Sequence, residues 1–306
     1  MRMTSKFVYH GIEWIDLESP TYEEVTAVAK EKNLNRVLAE ELTKPSLKPK
    51  ADLYQDYFYL VLHFPAIRHS HAKSTSQEID FIVGKKFVIT THYDTIDPLH
   101  EFSKIFEVNS LLDRTDMGEH AGYVFYYMLR HIYKGTENEL ESIEERLASV
   151  ETGIFSGKER EMVEQISHLG RDILDIKGIL RPHEQVLDSL ARAAAKFFGE
   201  EFSYPIHVVT NEYFRINNEV LHCSDLIAEL RETNNALVST HQNEIMKQLA
   251  VIAFIALPVG LVLTMLQIDF ISRPFIGTEG DFWVILFGTV LLALLLYLFT
   301  KKKKWL

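Results

Sequence analysis

The chain has 306 residues, of which 47% are hydrophobic and 25% charged, so its composition is too apolar for a disordered protein. Its single cysteine, Cys223, excludes a disulfide framework or a multi-thiolate zinc site within one chain. The net charge of −11, which already includes four lysines at 301–304, argues against nucleic acid as a partner and matches metal cations better.

Residues 1–115 show short strand patterns that alternate with helical ones. Residues 58–64 (FYLVLHF) have the pattern of a buried strand. Residues 79–83 and 87–91 flank Gly84-Lys85-Lys86, which is a hairpin signal. We predict an α/β domain here, on the cytoplasmic side.

Residues 116–203 are helical in pattern and rich in charge, with a break near residues 153–157. This pattern predicts two long antiparallel helices. Five acidic residues of the first helix are interpreted as a solvated face: Glu137, Glu139, Glu141, Glu144 and Glu145.

After Pro205, apolar residues recur at alternating spacings of four and three, the a/d seam of a coiled coil. No helix breaker interrupts the pattern before Pro258, so one helix is predicted from about residue 206 to 268. A seam of this length suggests partner chains. Its members are Val209, Tyr213, Ile216, Val220, Cys223, Ile227, Leu230, Asn234, Leu237 and His241.

Two runs without formal charge, residues 248–268 and 282–300, are each long enough to cross a bilayer as a helix. Lysines stand before the first run, at Lys247, and after the second, at 301–304, so both chain ends are expected in the cytoplasm. Residues 269–281 then form a short, net acidic outer loop. The first 19 residues lack the apolar run of a signal peptide.

Nucleotide-binding GxxxxGK[ST], GxSxG and HExxH motifs are absent from the sequence. An ATPase, hydrolase or metalloprotease activity therefore has no motif to support it, and we expect neither an enzyme nor a bound cofactor. Any transport would be passive.

The C-terminal third resembles the CorA family of divalent-cation channels. The likeness is carried by residues 231–247 (RETNNALVSTHQNEIMK), an apolar span with an internal proline, a short loop, a second span and the end KKKKWL. The hairpin (EIDFIVGKKFVITTH) and the long helices also resemble the family's layout. The resemblance implies an α+β cytoplasmic domain followed by long helices and two C-terminal transmembrane helices, assembled as a funnel-shaped homopentamer.

The resemblance divides the chain into an α/β domain (1–115), a long-helix pair (116–203) and a stalk helix (204–268). The stalk helix continues into the first transmembrane helix at about 247–268. The outer loop (269–281), the second transmembrane helix (282–300) and a basic cytoplasmic tail (301–306) follow.

In this family the first membrane helix of each subunit lines a central pore, and positions are carried over by counting from NEIMK. Asn243 would lie at the cytoplasmic mouth. Rings of Met246, Leu249 and Leu257 would form hydrophobic constrictions that gate by dewetting. Gly260 and Thr264 would lie toward the outer half. The alternative for each residue is a lipid-facing or helix-packing position.

The sequence departs from the family at the outer pore entrance. Members usually carry Gly-Met-Asn there, whereas this chain has Gln267-Ile268-Asp269. A ring of Asp269 carboxylates would replace neutral amides with formal charge, which strengthens cation attraction and slows release. Asp269 and Asn243 are the candidate metal ligands. The alternative for Asp269 is a carboxylate that points to water at the membrane boundary.

The resemblance implies passive transport of magnesium across the inner (plasma) membrane, with cobalt or nickel as surrogates. Two alternatives stay open: a zinc or proton-coupled transporter of the same family, and a non-conducting pentameric sensor or scaffold. A regulatory magnesium site is also implied, with a carboxylate such as Asp94, Asp97, Glu212, Glu219 or Asp225 as candidate. His63, His69 and His71 are the remaining metal candidates, although they lack partners at ligand spacing.

Overall fold

The computed structural model describes residues 4–46, 48–66, 76–112, 120–267, 280–303 and 305. The chain divides into two compact units, Met1–Arg231 and Glu232–Leu306. The predicted α+β domain followed by long helices and two C-terminal apolar helices is confirmed.

The first unit is built on a six-stranded sheet with the order β1-β2-β6-β5-β4-β3. Only β2 and β6 run parallel, and the other neighbours are antiparallel. Its strands form three sequential hairpins, β1 with β2, β3 with β4 and β5 with β6. The strands are β1 (Thr4–Tyr9), β2 (Ile12–Glu18), β3 (Lys50–Leu53), β4 (Tyr57–Pro65), β5 (Ser76–Gly84) and β6 (Phe87–His92).

The hairpin predicted around Gly84-Lys85-Lys86 is confirmed, since β5 and β6 pair antiparallel with Val83 opposite Val88. The strand predicted over residues 58–64 lies within β4, and all but one of its side chains are buried. Both faces of the sheet are covered, which explains why β4 reads as a continuous apolar run rather than an alternating one.

Helices α1 (Tyr22–Glu31) and α2 (Arg36–Glu41) cover one face of the sheet. Val25, Leu38, Tyr59 and Ile82 belong to the apolar cluster between them. A capping box starts α1, because the Thr21 hydroxyl accepts from the Glu24 backbone N–H while the Glu24 carboxylate accepts from the Thr21 N–H.

The opposite face of the sheet is packed with aromatic rings from α3 (Asp97–Leu112) and α4 (Ala121–Phe155). Phe125 of α4 lies 5.4 Å from Phe58 and from Phe81 between ring centroids, in edge-to-face geometry. Phe106 of α3 approaches Trp14 in the same way at 5.7 Å. Edge-to-face pairs add to the free energy gained from burial alone.

The segment predicted as a helix pair contains three helices: α4, α5 (Glu159–Leu180) and α6 (His183–Phe198). The break predicted near residues 153–157 falls between α4 and α5, where Gly157 has φ +83°. The second break was not predicted. It follows Leu180, where Pro182 has no N–H to continue the hydrogen-bond ladder of α5.

Two long helices complete the chain, α7 (Ser203–Gln267) and α8 (Asp281–Lys302). The prediction of one uninterrupted helix is confirmed for α7, which passes through Pro258 without ending. A short 3₁₀ helix, Glu200–Phe202, precedes it.

The prediction that the seam of α7 requires partner chains is wrong for its apolar part. The Tyr213 ring stacks on the His183 ring of α6, with 6.1 Å between the ring centroids. The Cys223 thiol lies 3.9 Å from a Glu144 oxygen of α4. Arg215 is ion-paired with Glu137 of α4. The apolar side chains are therefore covered by helices of the same chain. The buried seam residues are Val209, Tyr213, Ile216, Val220, Cys223, Ile227, Leu230 and Asn234.

Candidate functional site

The site predicted from the sequence lies on the C-terminal part of α7. Both α7 and α8 contain stretches long and apolar enough to cross a membrane, and almost none of these stretches is buried within the chain. The exposed side chains include Leu257, Leu261, Phe287 and Leu295. Apolar surface of this extent requires a lipid or protein environment.

The six residues assigned to the inner pore share one face of α7. At ~100° per residue they fall within an arc of about 120° around the helix axis. All six are exposed in the chain, Met246 by 65%, Leu249 by 55% and Leu257 by 73%. The six residues are Asn243, Met246, Leu249, Leu257, Gly260 and Thr264.

The opposite side of the same segment is partly covered. Val251 is only 5% exposed, and Ile255, Pro258 and Val259 are half-buried. Phe254 reaches Phe299 and Trp305 at ring-centroid distances of 6.3 and 5.8 Å, which places the C-terminal end of α8 beside α7. Val251, Ile255, Pro258 and Val259 therefore lie across the helix from the face assigned to the pore, whereas Phe254, which contacts the end of α8, lies at the border of that face.

Gly260 and Thr264 lie one turn apart on this face. A Cβ atom added at Gly260 would meet no atom within 4 Å, so the helix presents bare backbone there. The Thr264 hydroxyl donates to the Gly260 carbonyl at 2.8 Å and can reach the Leu261 carbonyl at 3.0 Å. Because its hydrogen is used inside the helix, the hydroxyl presents an oxygen acceptor to the open side.

The outer end of the site is only partly described. Gln267 is the last residue of α7, and its side chain lies outside the described part of the structure. Ile268 and Asp269, the rest of the predicted outer entrance, also lie outside the described residues. The roles assigned to these three residues stay predictions.

The N-terminal end of the site is a fully exposed helix segment. Every residue from 239 to 250 is exposed in the single chain, including Asn243 and Lys247. Seam residue His241 is also exposed and Leu237 half-buried, so the seam ends near Asn234. Beyond Asn234 the seam positions are therefore no longer fully covered by the chain itself.

The acidic residues of α4 do not all form a solvated face, in contrast to the prediction. Glu137 is 8% exposed, and its pairing with Arg215 and Lys134 lowers its pKa to about 2. Glu139 is buried as well. Glu141 and Glu145 are exposed, as predicted.

The candidates for a regulatory metal site are dispersed. Glu212 accepts a hydrogen bond from Arg130 at 2.7 Å, which occupies one of its oxygens. Burial and the nearby charge of Glu144 raise the pKa of Glu219. Among the described residues no three His, Cys, Asp or Glu side chains are arranged to hold a metal ion.

The histidine candidates do not form a metal site in the described structure. His63 lies on β4, where Nε2 donates to the Ser46 carbonyl at 3.0 Å. His69 and His71 lie outside the described residues. Sequence reasoning overlooked a buried carboxylate pair on β5, Glu78 and Asp80, although two acids within a predicted strand were visible in the segment EIDFIV.

Comparison with known proteins identifies the family. Residues 9–302 match the family described as CorA-like Mg²⁺ transporter protein. The chain belongs to this family. Members of the family are transporters rather than enzymes, and the two exposed apolar helices agree with a membrane protein.

Curated relatives match over nearly the full length. The cobalt/magnesium transport protein CorA of Thermotoga maritima is 22% identical over 303 residues, covering 95% of this chain and 85% of the relative. The cobalt/magnesium transport protein CorA of Methanocaldococcus jannaschii is 19% identical over 304 residues, covering 98% of this chain and 93% of the relative.

Solved structures show the same fold. The complete structure of the CorA magnesium transporter from Methanocaldococcus jannaschii superposes with a TM-score of 0.82 at 16% identity, covering 100% of this chain and 98% of that one. The full-length CmaX protein superposes with a TM-score of 0.70 at 17% identity, covering 96% and 89% of the two chains.

Proposed function

We propose that the chain transports divalent metal cations passively through the axial pore of a homopentamer, with Mg²⁺ as the first candidate and Co²⁺ or Ni²⁺ as surrogates. One observation carries the proposal. The residues assigned to the pore by counting from NEIMK lie within one arc of about 120° on α7, across the helix from the covered residues Val251 and Ile255. A random set of span residues would be distributed around the helix.

Self-association follows from the same face. A single helix cannot enclose a pore, so several copies of α7 must surround an axis. The exposed rings of Met246, Leu249 and Leu257 would then form apolar constrictions that close by dewetting. Asn243 amide oxygens, Thr264 hydroxyls and the backbone at Gly260 would supply polar contacts for a hydrated ion between and beyond those rings.

The electrostatics of the chain support cation entry. With the cell interior negative, a divalent cation gains about 4.6 kcal/mol per 100 mV on entry, since each charge contributes about 2.3 kcal/mol. No fuel is therefore required. Hard oxygen groups such as amide and carboxylate favour Mg²⁺, Ca²⁺ or Mn²⁺ over soft metals.

The membrane orientation belongs to the same proposal. Lys247 precedes the first apolar run, and the lysines at 301–304 follow the second. Positive charge at both flanks favours cytoplasmic chain ends in the inner (plasma) membrane, with residues 269–281 as the outer loop. Asp269 would then stand at the outer entrance.

The test is Mg²⁺ influx into proteoliposomes that contain the purified full-length protein, with a fluorescent Mg²⁺ reporter inside and an imposed negative potential. Gly260→Phe should abolish influx, because its ring would fill the open face of α7. Gly288→Phe is the matched control. It adds the same ring to α8, where a Cβ atom at position 288 would also meet no atom within 4 Å. This variant should leave influx intact.

The outcomes separate the competing functions. Influx of Mg²⁺ that stops only in Gly260→Phe supports the pore. Influx of Zn²⁺ alone, or influx that requires a proton gradient, would favour the zinc or proton-coupled transporter. Absence of Mg²⁺, Co²⁺ and Zn²⁺ flux at every pH would overturn transport and favour a non-conducting sensor or scaffold.

A further inference from the structure

Two carboxylates lie buried beneath α1 and α2, far along the chain from the pore face. Side chains alternate between the two faces of a strand, so Glu78, Asp80 and Ile82 of β5 share one face. Ile82 belongs to the apolar cluster that α1 and α2 cover. Glu78 is 7% exposed and Asp80 only 1% exposed.

The two carboxylates differ in their partners. Both Glu78 oxygens accept from the Ser46 backbone N–H, at 2.8 and 2.7 Å, and His63 Nε2 lies 3.3 Å from one of them. Neither Asp80 oxygen meets the geometry of a hydrogen bond with a described donor, although the Glu78 carboxylate is close enough to share a hydrogen with it. A buried carboxylate without donors is costly, so its oxygens require a ligand, a proton or water.

Three hydroxyl groups near Asp80 are also buried and without hydrogen-bond partners among the described residues: those of Tyr59, Thr91 and Tyr93. Thr91 is directly opposite Asp80 in the β5–β6 ladder. Tyr59 is opposite Ile82 in the β4–β5 ladder and so shares the sheet face of Asp80, and the charges of Asp80 and Glu78 act on the phenols of both Tyr59 and Tyr93. Donors and acceptors therefore share one buried cluster without bonding each other. Such groups are normally bridged by a buried solvent molecule or ion.

One described cation lies near the cluster, the Lys50 ammonium group, which is 4.8 Å from the centre of the Tyr59 ring but is shared with other carboxylates. Lys50 already binds Glu41 at 2.6 Å and Asp52 at 3.6 Å. Burial, together with the charge of Glu78, raises the pKa of Asp80 well above its ordinary value. The pair therefore needs one further positive charge, supplied either by a proton or by a metal ion.

We propose that Glu78 and Asp80, with the hydroxyls of Thr91, Tyr59 and Tyr93, form a binding site for one hard divalent cation of the Mg²⁺ or Mn²⁺ class. Two carboxylates with hydroxyl or water oxygens are a usual ligand set for Mg²⁺. The titratable or charged groups that face the site are Glu41, Lys50, Tyr59, His63, Glu78, Asp80 and Tyr93.

The test counts Mn²⁺ ions bound to the full-length protein in detergent by electron paramagnetic resonance at neutral pH. Mn²⁺ is a suitable probe because it is a hard cation that prefers oxygen ligands. We expect Asp80→Asn to bind one Mn²⁺ fewer per chain than the unmodified protein. Asp52→Asn, which changes a carboxylate with a 47% exposed side chain on β3, two strands away from β5 in the sheet, is the matched control and should bind the full number.

A second variant covers the case in which Asp80→Asn does not fold. Thr91→Val keeps the shape of the side chain and removes only the hydroxyl, so the same Mn²⁺ should bind about tenfold more weakly. If the folded Asp80→Asn or Thr91→Val protein binds the same number of Mn²⁺ ions with the same affinity as the unmodified protein, the site is overturned. The buried cluster would then hold a shared proton and buried water instead of a metal ion. Mn²⁺ bound at the pore is present in every variant, so this result would not bear on transport.

Discussion

Tyr133 of α4 and His183 of α6 are joined by a hydrogen bond of 2.8 Å between the phenol oxygen and Nδ1. The other ring nitrogen, Nε2, lies 2.8 Å from the backbone carbonyl of His63 on β4. A carbonyl can only accept, so Nε2 carries the hydrogen and Nδ1 of the neutral ring accepts from the phenol. The imidazole is fully buried and ties two helices to the central sheet.

Removing the phenol should destabilise this junction. In Tyr133→Phe the acceptor Nδ1 stays buried without a donor, which costs about 1–3 kcal/mol. Thermal unfolding of the full-length protein in detergent should show a lower midpoint than for the unmodified chain. Tyr22→Phe, at a tyrosine that is 53% exposed, serves as the control and should change the midpoint little. Equal midpoints for the two variants would contradict the junction.

The same junction predicts a pH dependence of stability. Burial lowers the pKa of His183 from 6.5 to about 4. Between these values the unfolded chain binds a proton that the folded chain does not, so stability falls as the pH drops from about 6.5 toward 4, by about 3 kcal/mol in total. Unfolding midpoints measured across this range should fall less steeply for His183→Gln. If the unfolding midpoints of the unmodified protein and of His183→Gln fall equally with pH, His183 is not the group responsible for the pH dependence.

The ion pair between Glu137 and Arg215 predicts a second, more acidic dependence. The Arg215 hydrogen bond lowers the pKa of Glu137 from 4.5 to about 2. The stability that the pair contributes is therefore present above about pH 4.5 and lost as the pH falls toward 2.

Glu137→Gln should lower the unfolding free energy at neutral pH by about 1 kcal/mol, a modest value because the Arg215 side chain is 55% exposed. The control is Glu141→Gln, at a carboxylate one turn later that is 59% exposed. Urea unfolding of both variants would measure the difference. Equal losses of unfolding free energy in the two variants would show that the Glu137–Arg215 pair contributes no more stability than an exposed carboxylate.

The outer entrance yields a prediction about transport. A ring of Asp269 carboxylates at close range would not be fully ionised, since like charges raise one another's pKa. Asp269→Asn should therefore change the selectivity among divalent cations or the pH dependence of flux in proteoliposomes. Unchanged flux, selectivity and pH profile would remove Asp269 from the entrance.

Periodicity made much of this fold predictable. The hairpin at Gly84-Lys85-Lys86, the buried strand at 58–64 and the single long helix through Pro258 all follow from local patterns, and all are present. The candidate pore positions come from counting along one helix, where ~100° per residue determines which side chains share a face. Such relationships depend on neighbours within one element, so they can be derived without the rest of the chain.

Which surface covers a helix or strand was decided only by the tertiary structure. The period of the α7 seam shows that Val209 and Ile216 share a buried stripe, but the same stripe could pack on other subunits or on helices of its own chain. Likewise, the spacing of the acidic residues in α4 does not determine whether Glu137 faces water or pairs with Arg215.

The sequence by itself determined the membrane spans, the α+β order and the family, because these depend on hydropathy, period and motif. The burial of Asp80 among unbonded hydroxyls, the intrachain cover of the α7 seam and the bond between Tyr133 and His183 come from elements far apart in the chain. Burial and pairing of polar groups are properties of packed surfaces, and those surfaces exist only after the elements have come together.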